Sequence, residues 1–320
     1  MKILPSGTCF AGRYEILGLL GQGGMGVVYR ARHIELDKEV ALKILAELVG
    51  DREVRFEREA RTTAKLDHPN CVRILDYGRA GTNPFIAMEL VEGTTVGRML
   101  GDQGPLPLAR AVQLTRSILT GLAHAHERDV LHRDIKPENI MVRSNGRCVL
   151  IDFGLARLRD DSPLTAAGTC LGSPSYLAPE RLLQRGCDAR SDLYAVGVVL
   201  YEMLTNAKPF VGSRPIEVLE HALVRPPKPI RALRPEVPRA LEAVIVRALA
   251  KDPDRRFGDA REMMAALDDL ELLASNAEQR RHNTRAEELP TTSLEILTLA
   301  PRSWLRRWWS QLRYGRWRWA

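Results

Sequence analysis

The chain has 320 residues, 45% of them hydrophobic, and a formal net charge of +7 at pH 7. This length and apolar fraction provide a core for one or two globular domains. The five cysteines are odd in number and form no CxxC pair, which argues against a disulfide framework or a zinc site and favours free thiols. We find no run of about 20 apolar residues to cross a membrane and no apolar stretch typical of a signal peptide, so we expect a cytoplasmic protein.

The basic charge is concentrated in residues 301–320, here called the basic tail. It contains six Arg and no Asp, Glu or Lys, so subtracting six from +7 leaves +1 for residues 1–300. All five Trp of the chain also lie there. Because Trp favours the membrane interface and Arg attracts anionic headgroups, the leading hypothesis is a peripheral anchor at the inner face of the membrane. Nucleic acid and a partner protein are rival targets.

The first third of the chain is predicted to be rich in strands. Residues 13–45 alternate apolar and polar positions with glycine punctuation, which predicts three antiparallel strands after an N-terminal extension at 1–12. Residues 51–66 are charge-rich and contain no Gly or Pro, which predicts a helix that ends before the HPN at 68–70. Residues 71–91 predict two further strands.

From Pro107 onward the pattern becomes mainly helical. Residues 108–129 predict a long amphipathic helix, and the segments NIMV and CVLI around an Asn-Gly turn predict a hairpin. Further helices are predicted at 191–205, 216–223, 238–250 and 259–273. The class is therefore α+β, with a small β-rich lobe at about 13–91 and a larger, mainly helical lobe at about 92–273. Residues 274–300 are polar and irregular, which predicts a linker.

A glycine-rich stretch and a lysine in the first lobe point to phosphate binding. GQGGMGVVY places Gly21, Gly23 and Gly26 in a GxGxxG pattern, and glycines let the backbone approach phosphates closely. A Rossmann fold would need a helix directly after them, but VVYRAR alternates like a strand, so this glycine loop joins two strands. Lys43 lies within the apolar strand EVALKIL, where an ammonium is costly unless it meets an anion.

Polar residues cluster in VLHRDIKPENIMV, residues 130–142, between apolar flanks. IDFG places Asp152 at the end of the second strand of the predicted hairpin, so Asp152 should return close to Asn139 and Asp134. Carboxylate and amide oxygens at adjacent strand ends suit Mg²⁺. Asp134 would then face the same pocket as a candidate base.

Five ordered motifs now resemble those of the eukaryotic-like (Hanks-type) serine/threonine protein kinases of bacteria. They are GQGGMGVV, VALK, HRDIKPEN, DFG and APE, within a domain at about 13–273. The resemblance implies a bilobal protein-kinase-like fold. It also implies transfer of the γ-phosphate of ATP to Ser or Thr hydroxyls of proteins, with Mg²⁺ or Mn²⁺ as the metal.

The resemblance implies a role for each matching residue. Asp134 would orient the substrate hydroxyl and accept its proton, and Lys136 would contact the transferred phosphate. Lys43 would bind the α/β-phosphates and pair with an acid of the following helix, where the family spacing favours Glu59 and Glu57 is the alternative. The implied metal ligands are Asn139 and Asp152.

The resemblance also implies a nucleotide site. The side chains that such a site would place around the adenine base could equally well be ordinary residues of an apolar core. The implied phosphate cover is Gly21, Gln22, Gly23, Gly24, Met25 and Gly26. The implied adenine pocket is Val28, Ala41, Met88 and Met141, with backbone groups of Glu89 and Val91 at the hinge.

Residues 155–180 resemble an activation segment. Thr165 and Thr169 are its candidates for autophosphorylation, and Arg133 resembles the arginine that pairs with the added phosphate. Autophosphorylation between molecules would imply a transient dimer.

Two side-chain pairings and one alternative function are also expected. Glu180 and Arg256 are expected to form a buried ion pair, and Asp192 to brace the loop around Asp134. A catalytically silent pseudokinase, or scaffold, recruited through the basic tail is the alternative function. It is disfavoured because the residues expected to carry the chemistry are all present, namely Lys43, Asp134, Asn139 and Asp152.

Overall fold

The computed structural model of the protein describes residues 3–23, 26–45, 51–153 and 174–268, all within the unit Met1–Leu273. Several predicted features lie outside the described residues: Gly24 and Met25, the threonines Thr165 and Thr169, the linker at 274–300 and the basic tail. No helix within the described ranges is long and apolar enough to cross a membrane.

Six strands form the sheet of the small lobe. Their bounds are β1 Cys9–Phe10, β2 Tyr14–Gly23, β3 Gly26–His33, β4 Lys38–Leu45, β5 Ile74–Ala80 and β6 Asn83–Glu89. The sheet is antiparallel throughout, in the order β1-β2-β3-β4-β6-β5. Tyr14, Tyr29, Leu42 and Phe85 are fully buried on one face, as the alternating pattern requires. The three strands predicted in 13–45 and the two in 71–91 are confirmed.

Strand β1 comes from the segment predicted as an N-terminal extension. Cys9 and Phe10 pair with Glu15 and Tyr14 of β2, and the Phe10 ring meets the Phe85 ring edge-on, with centroids 5.5 Å apart. An edge-on aromatic pair of this kind adds to the gain from covering the buried face. The structure thus adds residues 9 and 10 to the small-lobe sheet.

One helix, α1 Asp51–Thr63, lies against the other face of this sheet. Its Phe56 and Ala60 are buried with Leu45 and Ile86. The helix ends three residues earlier than the prediction, because the amides of Lys65 and Leu66 bond to carbonyls only three residues back. This tighter turn ends the α-helical hydrogen bonding.

The large lobe contains one small sheet and eight helices among its described residues. The strands are β7 Thr94–Thr95, β8 Ile140–Val142 and β9 Cys148–Leu150. The helices are α2 Val96–Gln103, α3 Leu108–His126, α4 Pro179–Leu182, α5 Ala189–Thr205, α6 Pro215–Val224, α7 Ile230–Leu233, α8 Arg239–Ala248 and α9 260–268. The sequence patterns predict α3, α5, α6, α8 and α9 but not the short helices α2, α4 and α7.

Helix α5 runs through the core of the large lobe. It is buried on nearly every side, begins at the cap Asp188 and ends at Asn206 in the left-handed conformation. Gly197 lets α8 approach closely, since a Cβ at this position would lie 2.8 Å from the Cβ of Ala248. The helix provides the rigid support from which Asp192 reaches the site.

The β8–β9 hairpin places the polar residues. Ile140 pairs with Leu150 and Met141 with Val149, which confirms the predicted hairpin. One residue further along, the amide of Ile151 donates to the carbonyl of Asn139 at 3.0 Å. Asp152 therefore leaves the hairpin next to Asn139.

Candidate active site

Residues 132–139, here called the polar loop, bring three predicted site residues together. Oδ2 of Asp134 accepts from Nζ of Lys136 at 2.7 Å and from Nδ2 of Asn139 at 2.9 Å. The same Nδ2 also donates to the carbonyl of Asp134 at 2.8 Å. With its amide nitrogen engaged in this way, Asn139 has its side-chain oxygen left to offer to a cation.

The electrostatic environment keeps Asp134 ionised. Burial alone would raise the pKa of this carboxyl, but the hydrogen bond and charge of Lys136, together with the Asn139 amide, lower the pKa below its usual value. At neutral pH the group is therefore a carboxylate. It can accept a proton while Lys136 holds it in place.

Asp192 braces the polar loop from α5, as predicted. Its side chain is only 2% exposed, and Oδ1 accepts from the amide of Arg133 at 2.8 Å. Oδ2 accepts from the amide of His132 and from Nε2 of His126, both at 2.9 Å. Burial would raise the pKa of Asp192, but these hydrogen bonds lower it, so a buried carboxylate fixes the start of the loop.

His132 connects the polar loop to the hairpin. Its ring is buried, and Nε2 lies 3.0 Å from the carbonyl of Ile151 while Nδ1 lies 3.3 Å from the amide of Asp134. The carbonyl requires a proton on Nε2 and the amide requires a lone pair on Nδ1, so both contacts select the neutral ring in one tautomer. Burial lowers the pKa of His132, which agrees with that assignment.

Two residues of the site have backbone torsions that non-glycine residues rarely adopt. Arg133 has φ of 65° and Asp152 has φ of 64°. Each such conformation costs about 1–3 kcal/mol and persists only where the surroundings enforce it. Arg gives no sign of left-handed backbone, and Asp adopts it more often than most residues but usually lies elsewhere, so sequence reasoning missed this feature.

The buried charges pair differently from the prediction. Nζ of Lys43, a residue only 6% exposed, lies 2.9 Å from Oδ1 of Asp152 rather than beside Glu59. Glu59 instead accepts from the guanidinium of Arg133 at 3.1 Å. A buried ammonium needs an anion, and the end of β9 supplies the one that lies in contact. Helix α1 meanwhile directs Glu59 towards the polar loop.

A second buried ion pair anchors α4. The guanidinium of Arg256 meets the carboxylate of Glu180 through two hydrogen bonds, of 2.8 and 2.6 Å, and Ser191 donates to the same carboxylate at 2.6 Å. The predicted pair is confirmed. Sequence reasoning missed another contact of the large lobe, in which the Tyr176 hydroxyl donates to Glu202 at 2.6 Å.

Comparison with known proteins identifies the family. Residues 14–267 match the model described as "Protein kinase domain". The chain is 38% identical over 295 residues to serine/threonine-protein kinase PrkC of Bacillus subtilis (strain 168), covering 91% of this chain and 45% of PrkC. The chain belongs to the protein kinase family. This kinase domain has the bilobal fold that the motifs predict, and the resemblance to bacterial Hanks-type kinases is confirmed.

Two other bacterial relatives give a similar result. The kinase chain is 40% identical over 311 residues to serine/threonine-protein kinase pkn3 of Myxococcus xanthus, covering 92% of this chain and 56% of that protein. It is 37% identical over 301 residues to serine/threonine-protein kinase PknB of Mycobacterium leprae (strain TN), covering 92% and 46%. The chain thus spans about half the length of the curated relatives it matches.

The structure groups the predicted adenine-pocket residues of the kinase domain. Val28, Ala41, Met88, Val91 and Met141 all belong to one apolar cluster between the sheet and the hairpin. Ala41 and Met88 are direct partners in the β4–β6 register. At the hinge, the amide of Glu89 already donates to the carbonyl of Arg73 at 2.9 Å, so its N–H is engaged.

The glycines of the glycine loop differ in what they do. At Gly26, φ is 154° and a Cβ would lie 2.1 Å from the carbonyl oxygen of Ile44, so the close approach of β3 to β4 requires glycine there. At Gly21 and Gly23, no described atom lies within 4 Å of the Cβ position. Among the described residues, neither position therefore has a neighbour that a side chain would meet, so the glycine pattern there is not explained by close packing.

A small cavity lies behind Met88 and extends the site beyond the predicted residues. Its volume is about 10 Å³, room for one water molecule. Only Met88 and Asp152 of its lining were predicted as site residues, because the others are apolar or hydroxyl positions, and of these only Phe153 lies in a motif, the DFG. The lining is Ala60, Thr63, Val72, Ile74, Ile86, Met88, Asp152 and Phe153.

Proposed function

We propose that this protein is a serine/threonine protein kinase, which transfers the γ-phosphate of ATP to Ser or Thr hydroxyls of protein substrates. The observation that carries the proposal is the contact of Asp134 with both Lys136 and Asn139, beside Asp152, in a chain of the protein kinase family. The relatives described above bear the name serine/threonine-protein kinase, which supports the same choice of acceptor.

In the proposed reaction, Asp134 acts on the attacking hydroxyl and Lys136 acts on the γ-phosphoryl group. The Asp134 carboxylate orients the acceptor hydroxyl and takes its proton as the oxygen attacks the γ-phosphorus and ADP leaves. Lys136 stands 2.7 Å from that carboxylate, so its ammonium can neutralise the phosphoryl group in transit. The residues mainly position the reactants and balance charge.

The donor set near Asp134 fits Mg²⁺, and Mn²⁺ could use the same ligands. Asn139 and Asp152 offer hard oxygens, and Mg²⁺ is often held by one or two carboxylates together with substrate phosphates. No group of three or more His, Cys, Asp or Glu side chains in the described residues forms a metal site without such phosphates. A cation bound by Asn139 and Asp152 would neutralise charge on the phosphates of ATP.

Binding of ATP in this proposal requires an exchange of partners. Lys43 would leave Asp152 for the α/β-phosphates and for Glu59, the acid that the family spacing favours over Glu57. Arg133 would leave Glu59 for a phosphate on Thr165 or Thr169. Autophosphorylation between two molecules, through a transient dimer, would supply that phosphate.

The test is direct measurement of phosphate transfer. The full chain is incubated with Mg²⁺, γ-labelled ATP and casein, and the labelled amino acids are identified after acid hydrolysis. We expect phosphoserine and phosphothreonine, with Thr165 or Thr169 among the modified sites of the kinase itself. Binding of ATP without any labelled product would contradict the proposal and support the scaffold alternative.

We also propose that the basic tail places the kinase at an anionic membrane surface on the cytoplasmic side. Six arginines and five tryptophans in 20 residues support this, because the two residue types favour anionic headgroups and the membrane interface. The full chain should sediment with vesicles that contain phosphatidylglycerol and not with phosphatidylcholine vesicles. Binding to RNA in place of vesicles would overturn the membrane proposal in favour of a polyanion target.

A further inference from the structure

Arg133 has a left-handed backbone, and its amide, its guanidinium and its carbonyl each make a hydrogen bond. Its amide donates to Asp192 at 2.8 Å and its guanidinium to Glu59 at 3.1 Å. Its carbonyl oxygen accepts from a guanidinium nitrogen of Arg181 at 2.5 Å. The first two partners were expected around the site, and Arg181 was not.

The carbonyl of Arg133 belongs to the peptide bond that leads into Asp134. Because a peptide unit is planar, a rotation of this carbonyl also turns the amide of Asp134 and changes the direction of its side chain. That amide contacts Nδ1 of His132 at 3.3 Å, so the peptide unit is fixed at one end by His132 and at the other by Arg181. The φ of 65° at Arg133 means that the loop needs such restraints to keep this shape.

Arg181 lies in a helix that is itself anchored by a buried ion pair. It lies in α4, directly after Glu180, whose carboxylate is held by Arg256 and Ser191. Glu180 and Arg256 are both buried in the core of the large lobe. A guanidinium mounted there can hold the carbonyl of Arg133 in one place, which the same group on a solvent-exposed loop could not do.

We propose that Arg181 is a positioning residue for phosphoryl transfer. Its guanidinium holds the carbonyl of Arg133 and so directs the Asp134 carboxylate towards the acceptor hydroxyl. The assignment rests on the proposed kinase function and adds to it a residue that lies outside the sequence motifs. Arg181 acts through the backbone of the polar loop and does not touch the reacting atoms.

Three variants test the proposal in the full chain. Arg181→Gln removes the guanidinium and its charge, and Arg181→Lys keeps a cationic donor. The control Arg185→Gln removes an exposed arginine just beyond helix α4. For each we would measure kcat with casein, KM for ATP, the melting temperature, and amide hydrogen exchange in residues 130–139. The exchange measurement needs no catalytic activity.

We expect Arg181→Gln to lower kcat by about tenfold to a hundredfold, because small displacements of a catalytic group are costly. KM for ATP should stay close to that of the parent, and exchange in the polar loop should become faster. Arg181→Lys should restore part of the kcat and part of the protection of the polar loop from exchange, and Arg185→Gln should match the parent in both.

Two results would overturn the assignment. One is parental kcat and parental loop exchange in Arg181→Gln. The other is an equal loss of melting temperature and activity in the Gln and Lys variants, with exchange raised throughout the large lobe, which would make Arg181 merely structural. If the parent transfers no phosphate, the proposed function fails, and the exchange comparison still decides whether Arg181 fixes the loop.

Discussion

The buried charges of Arg256 and Glu180 in the large lobe compensate each other in close contact. Arg256 is 3% exposed and Glu180 is 9% exposed, and two hydrogen bonds join them. Burial would raise the pKa of Glu180, but the hydrogen bonds from Arg256 and Ser191 lower it, so the carboxylate stays ionised. Such a pair costs desolvation when it forms, and its loss on one side leaves an unpaired buried charge.

Loss of Arg256 from this buried pair should therefore lower the stability of the protein strongly. Arg256→Met should lower the free energy of unfolding by about 3–5 kcal/mol, because Glu180 would remain buried without its partner. Urea denaturation followed by circular dichroism would measure the change, and the neighbouring exposed Arg255→Met serves as the control. A double variant that also carries Glu180→Gln should lose less than the sum of the two single changes. Strictly additive losses would show that the two side chains are not coupled.

Contacts between elements carry a second prediction, at the close crossing of α5 and α8. A Cβ on Gly197 would lie 2.8 Å from the Cβ of Ala248, so one helix must shift to accept it. Gly197→Ala should therefore lower the free energy of unfolding by about 1–3 kcal/mol. Gly101→Ala in α2, where no described atom lies within 4 Å of the added Cβ, should be neutral or slightly stabilising. Equal stability of the two variants in urea would contradict the packing described for α5.

The junction between the segment after α1 and helix α3 should be sensitive to pH. The rings of His68 and His124 lie 4.8 Å apart. Burial lowers the pKa of both, and for His68 the charge of His124 adds to this effect. Both folded-state pKa values lie below the unfolded value, so protonation of these rings favours the unfolded chain. The stability that depends on the two neutral rings is therefore complete above about pH 6.5 and is lost as the pH falls through the folded-state values.

We therefore expect the melting temperature of the parent to fall between pH 7.5 and 5, and to fall less in His124→Gln. Differential scanning fluorimetry across this range would measure the difference. The His221→Gln variant, on helix α6, provides the comparison for loss of a histidine elsewhere. If His124→Gln and His221→Gln have the same pH profile, the pair does not contribute to the pH dependence.

Elements with a strong periodic pattern could be predicted from the sequence, and elements defined by tertiary contacts could not. The β8–β9 hairpin follows from an Asn-Gly turn between apolar segments, and α5 from a long apolar run after Asp188. The four-residue helices α4 and α7 have too few residues for a period to appear. The strand at Cys9–Phe10 is equally short and depends on the contact of Phe10 with Phe85.

Much of the site could also be predicted, because its residues lie in ordered motifs. The sequence indicates Asp134, Lys136 and Asn139 together, and the structure places them in contact. It does not indicate which partner each charge takes. Lys43 meets Asp152, and Glu59 meets Arg133, because ion pairing depends on how α1 lies against the polar loop. Residue identity fixes the charges but not this placement.

At the scale of the whole molecule, the two lobes of the domain contribute different parts of the site. The small lobe supplies the glycine loop, Lys43 and Glu59, while the large lobe supplies the polar loop and the end of the hairpin. The pair of Glu59 with Arg133 joins α1 directly to the polar loop, and the pair of Lys43 with Asp152 joins β4 to the hairpin. Nucleotide binding and the arrangement of the lobes should therefore be coupled.

The proposed role of the Asp134 carboxylate is to accept the proton of the attacking hydroxyl. Its most direct test is single-turnover phosphate transfer from labelled ATP to casein by the parent, by Asp134→Asn and by the exposed control Asp102→Asn. We predict at least about a hundredfold loss of rate in Asp134→Asn with ATP affinity retained, since a positioned base contributes that much or more. The Asp102→Asn variant should keep the parental rate. A parental rate in Asp134→Asn would show that this carboxylate is not the base.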